Sequence, residues 1–277
     1  ITEREAAEMA SKTACPQKID CHTHIYNQAL RNRYFSVTDG YAIVMQFIDR
    51  LRSPEDVCEE TVKADDRLFL CAGVDITLPL APQFAWIEEN LTALRIVGIK
   101  IYLTYQKGRA SDSALFPIYE FAARHRLAVI FHTGIGAAEL PSDNDQSGSD
   151  AEYVAIAAEK YPDCHFILAH MNDPRFHECL RVVTTHQNVF TDFCGIYEEG
   201  TVADVDRDAS RLKEAIDAFP DAGSRILFGT DFCPPLHMPQ ITEYEETVRL
   251  IFPPEQWENI FFNNCLDAFP RLSGYIG

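Results

Sequence analysis

Residues of metal-ligating and acid–base type stand at the ends of short apolar runs in this 277-residue chain. The first run, Ile19-Asp20-Cys21-His22-Thr23-His24, closes on two histidines two positions apart. Side chains at that spacing share one face of an extended strand, so both imidazoles point the same way. Val129-Ile130-Phe131 leads to His132, Ile167-Leu168-Ala169 to His170, and Leu227-Phe228-Gly229-Thr230 to Asp231. Lys100 lies within Gly98-Ile99-Lys100-Ile101. Singly, each has an ordinary explanation: a strand-end histidine satisfied locally, an aspartate capping a helix, a lysine salt-bridged or snorkelling. Together, neutral imidazoles and a carboxylate make the donor set of a zinc-like ion.

Eight strands are needed to carry these residues to one place. Apolar and β-branched content predicts them over Ile19–His24, Tyr41–Ile48, Leu68–Val74, Val97–Leu103, Leu127–Thr133, His165–His170, Asn188–Cys194 and Arg225–Asp231. Their starts are spaced by about 29 residues, the size of a βα unit. Most runs are continuously apolar, as in parallel strands buried on both faces. Helical periodicity fills the gaps over Pro54–Lys63, Gln83–Leu94, Leu115–Arg126, Ala151–Tyr161, Pro174–Thr185 and Ala203–Phe219. An extra helix is expected over Ile1–Lys12, with closing helices over Thr242–Phe262, while Ile25–Gly40 reads as a loop. No composition break or low-complexity tract divides the chain. The expectation is one domain over residues 1–277, a (β/α)8 barrel with a helical extension over 1–18. An open doubly wound sheet is the structural rival, but no glycine-rich phosphate loop follows any strand. In a barrel, chemistry sits at the C-terminal strand ends, where these polar residues fall.

Composition narrows the partners. A formal net charge of -18 repels phosphate backbones, which excludes nucleic acid and anionic membranes. The apolar runs fall far short of the roughly 20 residues that a membrane-spanning helix needs. Nine cysteines without CxxC spacing read as free thiols in a reducing compartment, so a cytoplasmic location is expected. A small-molecule substrate is the expected partner, with self-association into a homo-oligomer left open.

Ile-Asp-Cys-His-Thr-His, Val-Ile-Phe-His-Thr-Gly, Phe-Ile-Leu-Ala-His-Met and Ile-Leu-Phe-Gly-Thr-Asp-Phe resemble the signature strands of the amidohydrolase superfamily. The branch they are most similar to holds aminocarboxymuconate-semialdehyde decarboxylase-like enzymes and small metal-dependent hydrolases. Gly-Ile-Lys-Ile and the late Asn-Asn-Cys-Leu-Asp-Ala-Phe add to the likeness, which spans about residues 18–270. The resemblance implies that His22, His24, His132 and Asp231 hold one divalent ion, expected to be Zn2+. It makes His170 the catalytic histidine and leaves Lys100 a free cation, although some members carboxylate this lysine to bridge two metals.

Zinc lowers the pKa of its water to about 7, Asp231 can take the water's proton, and His170 can protonate a leaving group. These parts suit hydrolysis of an amide, ester or lactone. They also suit non-oxidative decarboxylation, and a barrel without catalysis is the remaining alternative. A compact chain favours the hydrolase. Substrate contacts are expected from Lys100, Tyr102, Tyr105 and Arg31, with Lys107 and Arg109 adding positive charge for an anionic substrate. Gly134–Asp150 could be a lid or an ordinary surface loop. His125, His165, His177 and His186 are expected to be structural; of the remaining histidines only His237, in the loop after Asp231, is near enough to reach the pocket.

Overall fold

The computed structural model describes residues 17–53, 57–136, 148–197, 203–234 and 241–276. The helix expected over Ile1–Lys12, the start of the one expected at Pro54, most of the Gly134–Asp150 loop, and His237 lie outside these residues.

All eight expected strands are present and lie in chain order in one parallel sheet. They are β1 (Ile19–Thr23), β2 (Tyr41–Met45), β3 (Leu68–Gly73), β4 (Ile96–Ile101), β5 (Ala128–Phe131), β6 (His165–Leu168), β7 (Val189–Asp192) and β8 (Ile226–Leu227). The last strand returns to the first. Cys21 donates its N–H to the Phe228 carbonyl at 2.9 Å, Asp231 to His22 at 2.9 Å, and His24 to Phe232 at 2.7 Å. That seam closes the sheet into a (β/α)8 barrel.

A helix follows every strand: α1 (Gln28–Phe35), α2 (Glu59–Ala64), α3 (Leu80–Asn90), α4 (Phe116–His125), α5 (Ala151–Lys160), α6 (Phe176–Thr185), α7 (Val205–Asp217) and α8 (Ile241–Ile251). α1 corrects the reading of Ile25–Gly40 as a loop. It buries only Tyr34, so no apolar stripe announces it; its local cause is Asn27, whose side chain caps the helix by accepting the Leu30 N–H at 3.0 Å.

Two apolar layers hold the strands. Outward side chains such as Val44, Leu70, Ile99, Val129 and Phe166 pack beneath the helices. Inward ones, among them Ile19, Cys21, Phe69, Val97, Ile130, Ile167 and Leu227, fill the barrel. A final helix, α9 (Asn264–Ala268), and the turn after it bring Cys265, Ala268, Phe269 and Leu272 onto the same inner cluster. Gly98 is required in this interior: a Cβ there would stand 2.7 Å from Ile130 Cδ1 and 2.8 Å from Cys71 Sγ. The described residues include eight cysteines, all buried and free. Among the described residues, no helix is long and apolar enough to cross a membrane.

Every strand ends short of its expected run, and after two of them the backbone turns left-handed. β6 stops at Leu168 because His170, Met171 and Asn172 take left-handed backbone, with φ of 63°, 46° and 56°. β8 stops at Leu227, and Asp231 itself sits at φ 52°. For non-glycine residues each such conformation costs about 1–3 kcal/mol, and it persists only where surrounding contacts enforce it.

Candidate metal centre and active site

Those enforced turns aim the polar side chains. His170 is anchored by its backbone N–H, which donates to Asp192 Oδ1 at 2.8 Å, and Asn172 by its own to Thr133 Oγ1 at 3.1 Å. Asp231 is set by the residue before it: Thr230 donates its N–H to Asp20 Oδ1 at 3.1 Å and its hydroxyl to Asp20 Oδ2 at 2.6 Å. On β1 the pairing register shifts between Asp20 and Thr23; His22 lies within this irregularity and His24 just past it, and both face Asp231.

The distances define a donor set. Asp231 Oδ1 lies 3.5 Å from His22 Nε2 and 3.3 Å from His24 Nε2. One ligand atom from each of the three falls within 4.8 Å of the others, and all three residues are buried. Hydrogen bonding says which nitrogens carry the proton. The Tyr26 hydroxyl donates to the Met45 carbonyl at 3.2 Å, so the short contact between that oxygen and His24 needs the proton on His24 Nδ1. His22 Nδ1 lies 3.2 Å from the Asp192 carboxylate and is served in the same way. Both rings therefore turn an unprotonated Nε2 toward Asp231. Burial first, then the Lys100 charge, lowers the His22 pKa to about 3, so the ring is neutral at ordinary pH. Two neutral imidazole nitrogens and one carboxylate oxygen converge, and each imidazole is oriented through its other nitrogen. That is the donor chemistry a divalent ion takes. The described residues fit a metal.

The other expected residues take different places. His132 is not in that group of three; its Nδ1 is 3.2 Å from His170 Nε2, and the two rings meet edge to face at 4.5 Å. Burial, then His170, pushes its pKa well below the usual imidazole value. His170 donates Nδ1–H to the Cys194 carbonyl at 2.9 Å, because a carbonyl can only accept, so its Nε2 carries the lone pair. Lys100 is 0% exposed, and its Nζ stands 3.3 Å from His22 Nε2. It does not snorkel to solvent, and burial lowers its pKa. Tyr102 and Tyr105 wall the site. The Tyr102 hydroxyl donates to the Gln46 carbonyl at 3.0 Å, and the Tyr105 hydroxyl is 3.5 Å from His132 Nε2.

Arg31 departs from expectation. Its Nε donates to Asp65 Oδ2 at 2.6 Å, alongside Arg67, in the turn that precedes β3. That turn is at the opposite end of the barrel from the histidines, and the guanidinium is held there rather than over the donor set. Arg109 and Lys107 are exposed, and the Arg109 guanidinium lies over the Tyr153 ring at 4.8 Å.

Sequence reading missed Asp192 and Cys194, which lie directly under the histidines. Cys194 Sγ is 2.9 Å from Asp192 Oδ1, 3.2 Å from His22 Nδ1 and 3.4 Å from His170 Nδ1. Burial pushes the Asp192 pKa up, but hydrogen bonds from His22 and Cys194 outweigh it and hold the carboxyl below its usual range. Burial and Asp192 raise the Cys194 pKa well above normal, so it is a thiol. The available signal was positional: Thr191-Asp192-Phe193-Cys194 ends the seventh run as His132 ends the fifth. Phe47, stacked on His24 at 4.4 Å, was not anticipated either.

Residues 19–271, nearly the whole barrel with every residue of this cluster, match the amidohydrolase family. The chain belongs to the amidohydrolase family. Among solved structures, this amidohydrolase is similar to an uncharacterised TIM-barrel protein of Bordetella bronchiseptica, with 17% identity and a TM-score of 0.63 over 93% of this chain and 99% of that one. A probable 2-pyrone-4,6-dicarboxylic acid hydrolase of Acinetobacter baumannii, with citric acid bound, gives 13% and 0.63 over 92% and 99%. The 2,6-dihydroxybenzoate decarboxylase of Rhizobium gives 12% and 0.63 over 92% and 99%. At such identities these likenesses speak to the fold. No curated protein matches the sequence.

Proposed function

We propose that this amidohydrolase is a zinc-dependent hydrolase that opens an amide, ester or lactone bond of a small anionic substrate. The reading is carried by one observation, the convergence of His22 Nε2 and His24 Nε2 on Asp231 Oδ1 beside His170. His22, His24 and Asp231 would hold a single ion, with His132 completing the set from β5. When bound, zinc supplies Lewis acidity and a water acidified to a pKa of about 7. Asp231 is the group placed to accept that water's proton. His170, with Nδ1–H fixed on the Cys194 carbonyl, can take a proton on Nε2 and deliver it to a leaving group. Lys100 stands under the site, 3.3 Å from His22 Nε2, where a positive charge would favour an anion above it. Tyr102 and Tyr105 bound the space in which the substrate lies. A reducing cytoplasm suits the free buried cysteines.

A carboxylated substrate is also what the names of the related structures suggest: a dicarboxylic acid hydrolase and decarboxylases of 2,6-dihydroxybenzoate and 5-carboxyvanillate. Decarboxylation is the second reading, favoured by the buried Lys100 cation that could seat a carboxylate. The test is to load purified protein with zinc and screen lactones, amides and aromatic carboxylates, with and without chelator. Chromatography of the acid product reports hydrolysis of all three bond types, and CO2 release reports decarboxylation. The proposal expects about one zinc per chain and chelator-sensitive formation of the acid product, both lost in Asp231→Asn. Activity that survives complete removal of metal would sink it, and CO2 release without hydrolysis would establish the second reading.

A further inference from the structure

Beneath the donor set lies a carboxylate that the proposed chemistry does not use. Asp192, the last residue of β7, is 1% exposed. Its Oδ1 accepts the His170 backbone N–H at 2.8 Å, the Cys194 thiol at 2.9 Å and the Cys194 backbone N–H at 3.3 Å. Its Oδ2 faces His22 Nδ1 at 3.2 Å and the Cys21 thiol at 3.8 Å. The two backbone N–H groups on Oδ1 are necessarily donors, and each thiol has a proton to donate. A carboxylate so surrounded is an acceptor on both oxygens, so the proton between it and His22 belongs to Nδ1.

Two residues further on, the same strand end settles a second ring, because the Cys194 carbonyl takes the His170 Nδ1 proton at 2.9 Å. Gly195 follows at φ 69°, where a Cβ would come within 2.6 Å of His170 Nδ1. Residues 192–195 are therefore shaped to the two histidines, with an anion under one and a carbonyl under the other.

We propose that Asp192 is the positioning residue of this centre. It holds His22 as the Nδ1–H tautomer, with Nε2 offered to the cation, and through the His170 backbone N–H it fixes the left-handed turn that carries the acid–base histidine. This rests on the reading of the centre as a metal site. One carboxylate thus sets both the ligand and its catalytic neighbour. Oriented imidazoles are stronger and more selective ligands, and losing such a partner typically lowers metal affinity about 10–100-fold.

Asp192→Asn is the informative change. Its oxygen must stay on the two backbone N–H groups, so its NH2 replaces Oδ2 opposite His22 Nδ1. An amide NH2 only donates, which drives the ring proton to Nε2 and removes the lone pair from the centre. Long-range 1H–15N correlation spectra of metal-free, 15N-histidine-labelled protein read the tautomer directly, and competition with a fluorescent chelator reads zinc affinity.

The wild type should show His22 protonated on Nδ1. Asp192→Asn should show it protonated on Nε2, with zinc affinity about 10–100-fold weaker. Cys194→Ser, which retains a donor to Asp192, should keep the wild-type tautomer. An Nε2–H tautomer of His22 in the wild type overturns the proposal even if Asp192→Asn fails to fold, as does wild-type zinc affinity in Asp192→Asn. Titration with cadmium adds a third arm: a thiolate-to-cadmium absorption that disappears in Cys194→Ser would put the cation on the Asp192 side of His22 and overturn it too. A wild type that binds no zinc counts against the metal-site reading instead, since the tautomer of His22 is read without metal.

Discussion

Replacing Asp20 with asparagine should change how the stability of the fold responds to pH. Asp20 is buried where β1 meets the end of β8. Its Oδ1 accepts the backbone N–H groups of His22 and Thr230, each at 3.1 Å. Its Oδ2 meets the Thr230 hydroxyl at 2.6 Å and the Tyr34 hydroxyl at 2.8 Å. The backbone donors are fixed, but hydroxyls rotate, so a protonated Oδ2 can donate to either one. Burial raises the carboxyl pKa from 3.8 to about 7, against the four hydrogen bonds that favour the charged form. The folded protein thus holds a proton that the unfolded chain gives up near 3.8. Its stabilising effect is complete below about pH 4 and is lost as pH rises through about 7. Between pH 5 and pH 8 that loss amounts to about 2–3 kcal/mol by linkage.

Asparagine puts its oxygen on the same two N–H groups and its NH2 on the two hydroxyls, which reproduces the neutral acid at every pH. Urea titrations of both proteins in chelator, at pH 5 and pH 8, should show the wild type losing about 2–3 kcal/mol more than Asp20→Asn. Parallel pH profiles would refute the reasoning and make Asp20 a permanent anion.

Three other changes probe the barrel and its mouth. His170→Asn should retain zinc by elemental analysis while kcat falls about 10²–10⁴-fold, the usual worth of a general acid–base group; loss of the metal would make His170 a ligand. Gly195→Ala places a Cβ 2.6 Å from His170 Nδ1 and 3.2 Å from Asp231 Oδ2 at φ 69°. Activity should collapse while urea stability drops by only about 1–2 kcal/mol, and unchanged kcat would mean that the loop moves away freely. Gly98→Ala should cost about 1–3 kcal/mol by overpacking against Ile130 and Cys71, read from the urea midpoint, with metal content unchanged.

The sequence carried much of this because eight apolar runs need burial on both faces, and a polar residue ending such a run has few places to go but the mouth. His22, His24 and Asp231 were legible on that ground. α1 was not, because Gln28–Phe35 buries one side chain and gains its helicity from the Asn27 cap and not from an apolar face. Arg31 misled because nearness in sequence to His24 says nothing of which end of the barrel a long side chain reaches, and Asp65 takes it to the other. Asp192 was hidden by its role: a carboxylate under a histidine touches the site only through hydrogen bonds, and those require the fold. The short reach of β6 and β8 was equally illegible, since left-handed backbone at His170 and Asp231 is imposed by partners distant in sequence.

The closing seam has a mechanical consequence. β8 contributes two residues to the ladder, and the rest of the join is irregular backbone together with the Asp20–Thr230 bonds, between residues 210 positions apart. His22 and His24 stand on one bank of that join and Asp231 on the other. A ligand gripped by all three is a rivet between the two ends of the folded chain, and its affinity includes the work of keeping the cylinder shut. Stripping it should loosen the hoop at this one point, so that the amides of Cys21, His24 and Asp231 exchange sooner than those between β3 and β6.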